Sequence, residues 1–161
     1  MTLLEILVAG IILSIVVLAA GTVYIAAVKE FHRVSDESHI QIQAITVFEH
    51  MYHNLMGAND VDVSSPNIII ADTDDANLQP KIKYELINKR IKFYYKYGQP
   101  DQKDEWLTDD QTIVNYLKFD RPLKKDDGSD MNNYITINLS LQKERMQKTF
   151  STGVVLRGMN P

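Results

Sequence analysis

The chain begins with a long apolar segment. From Ile6 to Val28 no residue is charged, and the run ILVAGIILSIVVLAAGTVYIAAV consists mostly of Leu, Ile, Val and Ala. As an α-helix it covers about 34 Å, enough to cross a hydrocarbon core of about 30 Å. The pattern predicts a membrane-spanning helix segment over residues 1–28.

Beyond Lys29 the apolar positions fall on one side of the predicted helix. This stripe comprises Ile45, Phe48, Tyr52 and Leu55, widened by Ala44, Val47, Met51 and Met56. We predict a single helix from about Thr2 to Met56, with Gly57 as its C-terminal cap. Because a one-sided apolar stripe needs a packing partner, residues 29–57 are expected to lie on a sheet.

Residues 58–161 carry the alternation and turn signals of β-strands. The predicted strands are Lys81–Ile87, Arg90–Tyr97, Thr112–Phe119, Tyr134–Leu141 and Phe150–Leu156. Asn88 and Lys89 suit a tight hairpin turn. Residues 61–80 are expected to be a loop that contains one short apolar run, Ile68–Ala71, as a further candidate strand, and residues 99–110 are expected to be a polar turn. We predict an α+β fold, in which the long N-terminal helix packs on a small antiparallel sheet of four or five strands.

Composition narrows the possible functions. With 161 residues, the chain has room for one globular unit and an appendage. The net charge of -4 argues against a nucleic-acid partner. The absence of cysteine excludes disulfides, thiol catalysis and Cys-ligated metals. Without a Ser-His-Asp pattern, a glycine-rich phosphate loop or an HExxH motif, the sequence predicts a protein that is not an enzyme.

A cleaved signal peptide is an alternative explanation for the apolar segment. It would have a basic start and a shorter apolar core, followed by polar mature sequence. The first five residues contain no Lys or Arg, and helical periodicity continues beyond the run. We therefore expect the segment to be retained.

Glu5 is the one charged residue in the first 28 positions. A charge in the middle of a membrane helix costs about 2.5 to 3.5 kcal/mol, and less near the membrane surface. One interpretation leaves Glu5 hydrated at that surface. The other pairs it with the α-amino group of a neighbouring copy, provided that Met1 is a processed terminus.

The sequence MTLLEILVAGIIL resembles the mature N-terminus of type IV pilins and pseudopilins. In that family a prepilin peptidase removes a leader, the new first residue is N-methylated, and a glutamate stands at the fifth position. The resemblance implies that Met1 is the methylated terminus and that Glu5 is the family glutamate. It also implies a pilin-like fold, the pilus assembly machinery as partner, the inner (cytoplasmic) membrane as the location before assembly, and a helical homopolymer at the cell surface afterwards.

The resemblance is specific only in the N-terminal part of the chain, and beyond it extends to architecture. Removal of a leader is an expectation, because the leader would lie upstream of Met1. Many family members have a proline near residue 22, whereas this chain has only Gly10 and Gly21 as weaker points in the helix. The stretches QAITVFEHMYHNLMGANDV and IKFYYKYG resemble the larger J-type or W-type minor subunits.

Two further groups have side chains suited to ligands. His50 and His53 stand beside Glu49, but without a third ligand in reach we expect them to pack near the sheet. The aromatic group comprises Phe93, Tyr94, Tyr95, Tyr97 and Trp106. Strand alternation places Phe93 and Tyr95 on one face and Tyr94 and Tyr97 elsewhere, which favours core and subunit contacts.

Asp126, Asp127 and Asp130 form an acidic turn with a glycine, a candidate calcium loop whose spacing differs from the EF-hand pattern. Calcium is the one cofactor that the sequence raises. Asn138 begins an acceptor-like Asn-Leu-Ser triplet for glycosylation, which the strand prediction would partly bury.

These patterns favour a structural subunit of a type IV pilus-like filament that polymerises through its N-terminal helix, with Glu5 paired to a neighbour's terminal amine. A minor pseudopilin of a type II secretion system is one alternative. A bitopic membrane protein, whose second part binds a ligand without polymerising, is the other.

Overall fold

The computed structural model describes residues 2–73, 80–121 and 133–156. It divides into two compact units, residues 1–38 and residues 39–161. In the described residues there is one helix, α1 (Leu3–Met56), followed by β1 (Ala58–Ser65), β2 (Ile68–Thr73), β3 (Lys81–Ile87), β4 (Arg90–Tyr95), β5 (Lys103–Trp106), β6 (Ile113–Asp120), β7 (Tyr134–Lys143) and β8 (Met146–Val155).

The helix begins and ends where the sequence predicts, but its buried side differs from the predicted stripe. The buried residues of α1 are Ile40, Ala44, Val47, Met51 and Leu55. Ile45 and Tyr52, which were predicted to lie on the packing side, are 55% and 43% exposed. The buried spacings of four, three, four and four residues follow a single helical face. Several apolar residues of the second half lie outside that face, so their pattern alone did not locate it.

Gly57 does not form the predicted left-handed cap. Its φ is not positive, and β1 starts at the next residue, Ala58. Ala58 is buried. The chain therefore leaves the helix directly in an extended conformation, and the backbone freedom of glycine is not used for a cap at this position.

The strands form two antiparallel sheets, where one sheet was predicted. The first sheet has the order β1-β2-β3-β4-β5, and the second has the order β6-β7-β8. Asn88 and Lys89, at the turn between β3 and β4, have φ values of 50° and 62°. Positive φ at both central residues is the signature of a type I′ turn, so the predicted hairpin is confirmed.

Two strands of the first sheet were missed in the sequence. In β1, exposed Asp60 and Asp62 flank buried Val61, but the register of β1 with β2 shifts on both sides of this segment. Such bulges interrupt the two-residue period by which a strand is recognised. The strand β5 lies at the edge of the sheet, and all four of its residues are exposed. It therefore has no buried apolar positions from which the sequence could have predicted it.

The second sheet is built around β7, whose alternation was predicted. The side chains that β7 buries include Ile135, Ile137 and Leu139. β8 starts at Met146, earlier than predicted, and pairs with β7 over its whole length without a register shift. After Met146, the next three residues, Gln147, Lys148 and Thr149, are polar and exposed or partly exposed, so no apolar period marks this part of the strand.

Within residues 39–161, the buried stripe of α1 and the inner faces of both sheets form one hydrophobic core. Two backbone hydrogen bonds join β6 of the second sheet to turns of the first sheet. Val114 N–H donates to Lys89 O at 2.8 Å, and Phe119 N–H donates to Pro66 O at 3.0 Å. The guanidinium of Arg121 donates to Val61 O at 3.2 Å. The chain thus has the predicted α+β architecture, a long helix packed on antiparallel sheets.

Gly153 in β8 is a position where only glycine fits the observed arrangement. A Cβ atom built there would lie 1.9 Å from the hydroxyl oxygen of Tyr134 and 2.4 Å from its Cζ. The phenol ring of Tyr134 therefore covers the glycine backbone of the neighbouring strand. Covering a strand glycine with an aromatic ring compensates for the missing side chain.

We predict that Gly153→Ala displaces the Tyr134 ring and lowers the free energy of unfolding by about 1 to 2 kcal/mol, as overpacking does. Denaturant unfolding of the chain in detergent micelles, followed by the fluorescence of the single tryptophan, measures it. In a Tyr134→Ala background the same substitution should cost almost nothing, because the clash is gone. Equal costs in the two backgrounds would contradict this account.

Candidate functional site in the first turn and apolar half of the helix

Of the predicted site residues, the structure describes Glu5 alone. Glu5 lies in the first turn of α1 and is exposed. Met1 lies outside the described residues, and so do Asp126, Asp127 and Asp130 of the candidate calcium loop. The assignments to Met1 and to calcium therefore stay predictions.

Glu5 makes hydrogen bonds within its own chain. The backbone N–H of Thr2 donates to Glu5 Oε2 at 2.7 Å. In return, the backbone N–H of Glu5 lies 3.4 Å from Thr2 Oγ1 and donates to Thr2 O at 3.1 Å. This reciprocal pattern is a capping box, in which a Thr before the helix and a Glu three residues later satisfy each other's backbone donors.

The capping box changes the electrostatic argument for Glu5. The first N–H groups of a helix have no partner inside the helix, and the N-terminus carries a partial positive charge. A carboxylate in the first turn is stabilised by both. Glu5 is therefore accommodated by its own helix, and the need for an external cation is smaller than its isolation in the sequence suggested.

Thr2 is the residue that the charge-based interpretation missed. Its signal was present in the sequence, because T-x-x-E directly before an apolar run is a recognised start of a helix. Glu5 stood out as a lone charge, which directed attention to partners in other molecules.

The apolar half of α1 packs against no other element among the described residues 2–38. Every described side chain from Thr2 to Ser35 is exposed, including Leu18 at 70% and Tyr24 at 71%. A helix that is apolar on all sides needs lipid or several neighbouring helices. Among the described residues α1 is also the one helix long and apolar enough to cross a membrane, so the segment is compatible with membrane association.

Ser14 and Thr22 in this half satisfy their hydroxyl donors within the helix itself. Ser14 Oγ donates to Gly10 O at 2.8 Å, and Thr22 Oγ1 donates to Ala19 O at 2.8 Å. Such bonds back to the preceding turn let a hydroxyl enter an apolar medium without an unpaired donor. These two polar residues are therefore no obstacle to a lipid environment.

A second polar group lies between α1 and the first sheet, inside residues 39–161. His50 is half-buried, with Nδ1 3.1 Å from the hydroxyl oxygen of Tyr84, and its ring packs edge-on against Phe93 at a centroid distance of 4.6 Å. Its Nε2 lies 3.6 Å from Glu105 Oε1, which also accepts a hydrogen bond from Tyr95 Oη. His50 thus connects the helix to three strands.

The environment of His50 favours its neutral form. Burial lowers the pKa of His50, the charge of Glu105 opposes this effect, and nearby His53 adds to it. Burial, assisted by the hydrogen bond to Glu105, raises the pKa of Tyr95 to about 12. Together the groups form a hydrogen-bonded support for helix packing.

The structure does not bring His50 and His53 together as a metal site. His53 is exposed, whereas His50 faces the sheet. Within residues 2–73, 80–121 and 133–156, no cluster of three His, Asp or Glu side chains suits a metal ion. His39 instead lies 2.7 Å from Asp109 Oδ2, about three turns before His50 along the same side of α1.

The other face of the first sheet carries a cation–aromatic ladder that the sequence did not reveal. Its members alternate in the order Tyr97, Lys83, Tyr94, Lys92, Trp106 and Arg90, with cation-to-ring distances of 4.9, 5.3, 5.4, 5.1 and 4.7 Å. Phe93 lies in the core and Tyr95 packs against it, with their ring centroids 4.5 Å apart. The predicted division of the aromatic residues between the two faces is therefore confirmed. Strand pairing, which sequence spacing does not specify, builds this ladder.

The cations of the ladder are compensated. Lys83 Nζ lies 2.7 Å from Glu85, and Lys92 Nζ lies 2.5 Å from Asp104. Burial lowers the pKa of Lys83, but the hydrogen bond and charge of Glu85 outweigh it and leave the pKa raised. Arg90 donates to Thr108 O at 2.7 Å. The ladder therefore stiffens this face of the sheet.

Asn138 is part of the central strand β7 and is partly buried. Its side-chain amide donates to Asp120 Oδ2 at 3.3 Å, and Ser140 of the same triplet is buried. Glycosylation would require this amide and its strand to leave the sheet. The folded unit does not present the triplet as an open acceptor.

Comparisons of the chain with protein-family models, with curated proteins and with solved structures found no match.

We predict that His50 makes stability depend on pH. Because its pKa is lowered in the folded state, the unfolded chain binds the extra proton first, and stability falls as the pH drops through the ordinary histidine pKa of about 6.5. His50→Gln should weaken this dependence in unfolding measured at a series of pH values. His32→Gln, at another exposed position of α1, is the matched control. An unchanged slope in His50→Gln would contradict the prediction.

We also predict that a charge in the middle of the apolar half impairs membrane integration. Val16→Asp should cost about 3 kcal/mol of insertion free energy. Ser38→Asp, at an exposed polar position beyond the run, should leave insertion unchanged. Alkaline extraction of membranes followed by detection of the chain measures the integrated fraction. Equal fractions for the two variants would argue against a membrane-embedded segment.

Proposed function

We propose that this chain is a structural subunit of a type IV pilus-like filament. The observation that carries the proposal is the helix α1, whose apolar half is exposed on all sides and starts with a single carboxylate, while one face of its second half is buried in the core. Only the second half of this helix contributes to the core of its own chain, so the first half is available to contact neighbouring molecules. The resemblance of MTLLEILVAGIIL to pilins and pseudopilins supports the same conclusion.

On this proposal, lipid surrounds the apolar half before assembly. During assembly neighbouring copies replace the lipid, and close packing at small residues such as Ala19, Ala20 and Ala27 replaces lipid contacts. A head-to-tail contact that does not close on itself generates a helical polymer. The chain thus belongs first to the inner membrane and then to a filament at the cell surface, and the assembly machinery of pili is its partner.

Glu5 sets the axial register in this polymer. Its carboxylate meets the terminal amine of a neighbouring copy, whose Met1 is processed and N-methylated. Buried ion pairs of this kind are better attested as a source of register than of net stability. A role in register agrees with the capping box, because Glu5 is already accommodated before a neighbour arrives.

The capping box also favours a second candidate function. Since Glu5 is accommodated within its own chain, a bitopic membrane protein that never polymerises would carry this residue at little cost. In that case residues 39–161 would act as a ligand-binding unit. A minor pseudopilin of a type II secretion system is a variant of the first proposal, in which few copies enter each filament.

We expect Glu5→Ala and Glu5→Gln to abolish filaments or change their axial rise, because both remove the charge that meets the neighbour's amine. Glu30→Gln is the control, since that carboxylate pairs with Arg33 in its own chain and is fully exposed. Electron microscopy of sheared surface filaments, with N-terminal mass spectrometry of the material, provides the readout.

The outcomes separate the candidates. Filaments made mainly of this chain, beginning at a methylated Met1, support a major subunit. Traces of the chain in filaments of another protein support a minor subunit. A chain that stays in the membrane with a longer N-terminus supports the bitopic protein. Normal filaments from Glu5→Gln would show that the negative charge of Glu5 is not needed for assembly.

A further inference from the structure

An open sheet ends in edge strands, whose outer backbone N–H and C=O groups have no neighbouring strand. Among the described residues, the edge strands are β1 and β5 in the first sheet and β6 and β8 in the second. Proteins protect such edges with short strands, charged side chains, bulges or cover from other segments, because an unprotected edge pairs with other chains. The edges of this protein differ in such protection.

The edges β1, β5 and β6 are each protected. Strand β1 has two register shifts, and the backbone of Val61 is occupied, since its N–H donates to Asp60 Oδ1 at 2.8 Å and its O accepts from Arg121 at 3.2 Å. Strand β5 has four residues, and all but its tryptophan are charged. In β6, the N–H groups of Val114 and Phe119 donate to turns of the first sheet.

Strand β8 is the edge without such protection. It pairs with β7 along its whole length without a register shift, and no described strand lies on its other side. Its segment Thr149–Val155 contains neither a charged residue nor a proline, and Val155 is 52% exposed. Because the backbone groups of an antiparallel strand point alternately to its two sides, about half of those in this segment point away from β7.

We propose that the open edge of β8 pairs with the β8 edge of a second copy of this chain. A row of backbone donors and acceptors is matched by another extended polypeptide strand. The segment Thr149–Val155 is itself such a strand, because it is extended, uncharged and open along the same edge. Two copies related by a two-fold axis pair antiparallel, so the contact is self-complementary.

Pairing over the whole segment places Thr152 opposite Thr152 of the second copy, and Thr–Thr pairs across strands are favourable. Phe150 then lies opposite Val154 of the second copy. Phe150 packs against the core but stays partly exposed, so this pair extends the apolar side of the sheet. Ser151 lies opposite Gly153 of the second copy, and the two Ser151 side chains are diagonal neighbours on the exposed side, about 7–8 Å apart.

The contact is expected to be weak when only two copies meet. A standard protein interface has about 20–30 residues on each side, many more than the segment Thr149–Val155 supplies. A head-to-tail filament has no two-fold axis between its subunits, so in the proposed filament this contact joins copies of different filaments. There, many weak contacts act together. The pairing itself rests on the sheet edges and does not require a filament.

The experiment measures self-association of the full chain in detergent micelles by analytical ultracentrifugation at low salt, over a range of protein concentrations. We expect wild type to pass from monomer to dimer as its concentration rises. Ser151→Lys and Ser151→Asp should each raise the dissociation constant on the order of tenfold or more, because each brings two like charges together. An equal mixture of the two variants should recover the association, because opposite charges then meet.

Asn115→Lys and Asn115→Asp are the matched controls, at an exposed position of β6 in the same sheet. Neither these variants nor their mixture should change the dissociation constant. Since the chain has no cysteine, a single introduced thiol reports proximity. A short bis-maleimide linker should join two copies of Ser151→Cys and should fail to join two copies of Asn115→Cys.

Three outcomes would overturn the inference. One is a wild-type chain that stays monomeric at every concentration. Another is association that both Ser151 variants leave unchanged, as association through the apolar half of α1 would be. The third is weakening without recovery in the mixture, as a local loss of strand structure would cause. Failure of the proposed function is a separate result: absence of filaments, with recovery in the Ser151 mixture, would overturn the filament and leave the edge contact in place.

Discussion

The buried stripe of α1 is the contact on which residues 39–161 depend. Ile40, Ala44, Val47, Met51 and Leu55 are each almost completely buried. Burial of a large aliphatic side chain contributes about 1.5 to 3 kcal/mol, so the stripe is a major part of the driving force for this unit. It also explains the two sheets, because each sheet buries its inner face in the core that contains the stripe.

Polar contacts along one side of the stripe fix the helix on the first sheet and on the loop between β5 and β6. His50 reaches Tyr84 and Glu105, and His39 reaches Asp109. Half-buried polar groups of this kind are stable only when their partners are present. These polar contacts fix the orientation of the helix on the sheet, whereas burial of the apolar residues supplies most of the stabilising free energy.

The first turn of α1 is stabilised by local hydrogen bonds and not by burial. Nothing in residues 2–35 is buried, and the carboxylate of Glu5 is held by local backbone donors. A charge that is satisfied by its own helix is compatible both with a membrane protein that remains single and with a subunit awaiting a neighbour. The distinction between these two functions therefore lies in the surroundings of the helix.

The sequence by itself determined the features that depend on local order. The bounds of α1, the apolar segment from Ile6 to Val28, the Asn88-Lys89 turn and the alternation of β7 all follow from the periodicity or the backbone preferences of neighbouring residues. The capping box belongs to the same class, since T-x-x-E is a local signature, although the isolated charge of Glu5 drew attention away from Thr2.

Only the tertiary structure decided which side of the helix is buried and how the strands divide. Ile45 and Tyr52 are as apolar as their buried neighbours, so the choice between faces depended on the shape of the sheets beneath them. The bulged strand β1 and the edge strand β5 lack a regular apolar period, and pairing with the neighbouring strands β2 and β4 makes them strands. The cation–aromatic ladder depends on the same cross-strand register. Pairing between strands and packing against the helix are not contained in the residue pattern of any one segment, and this is the physical reason why these features could not be predicted.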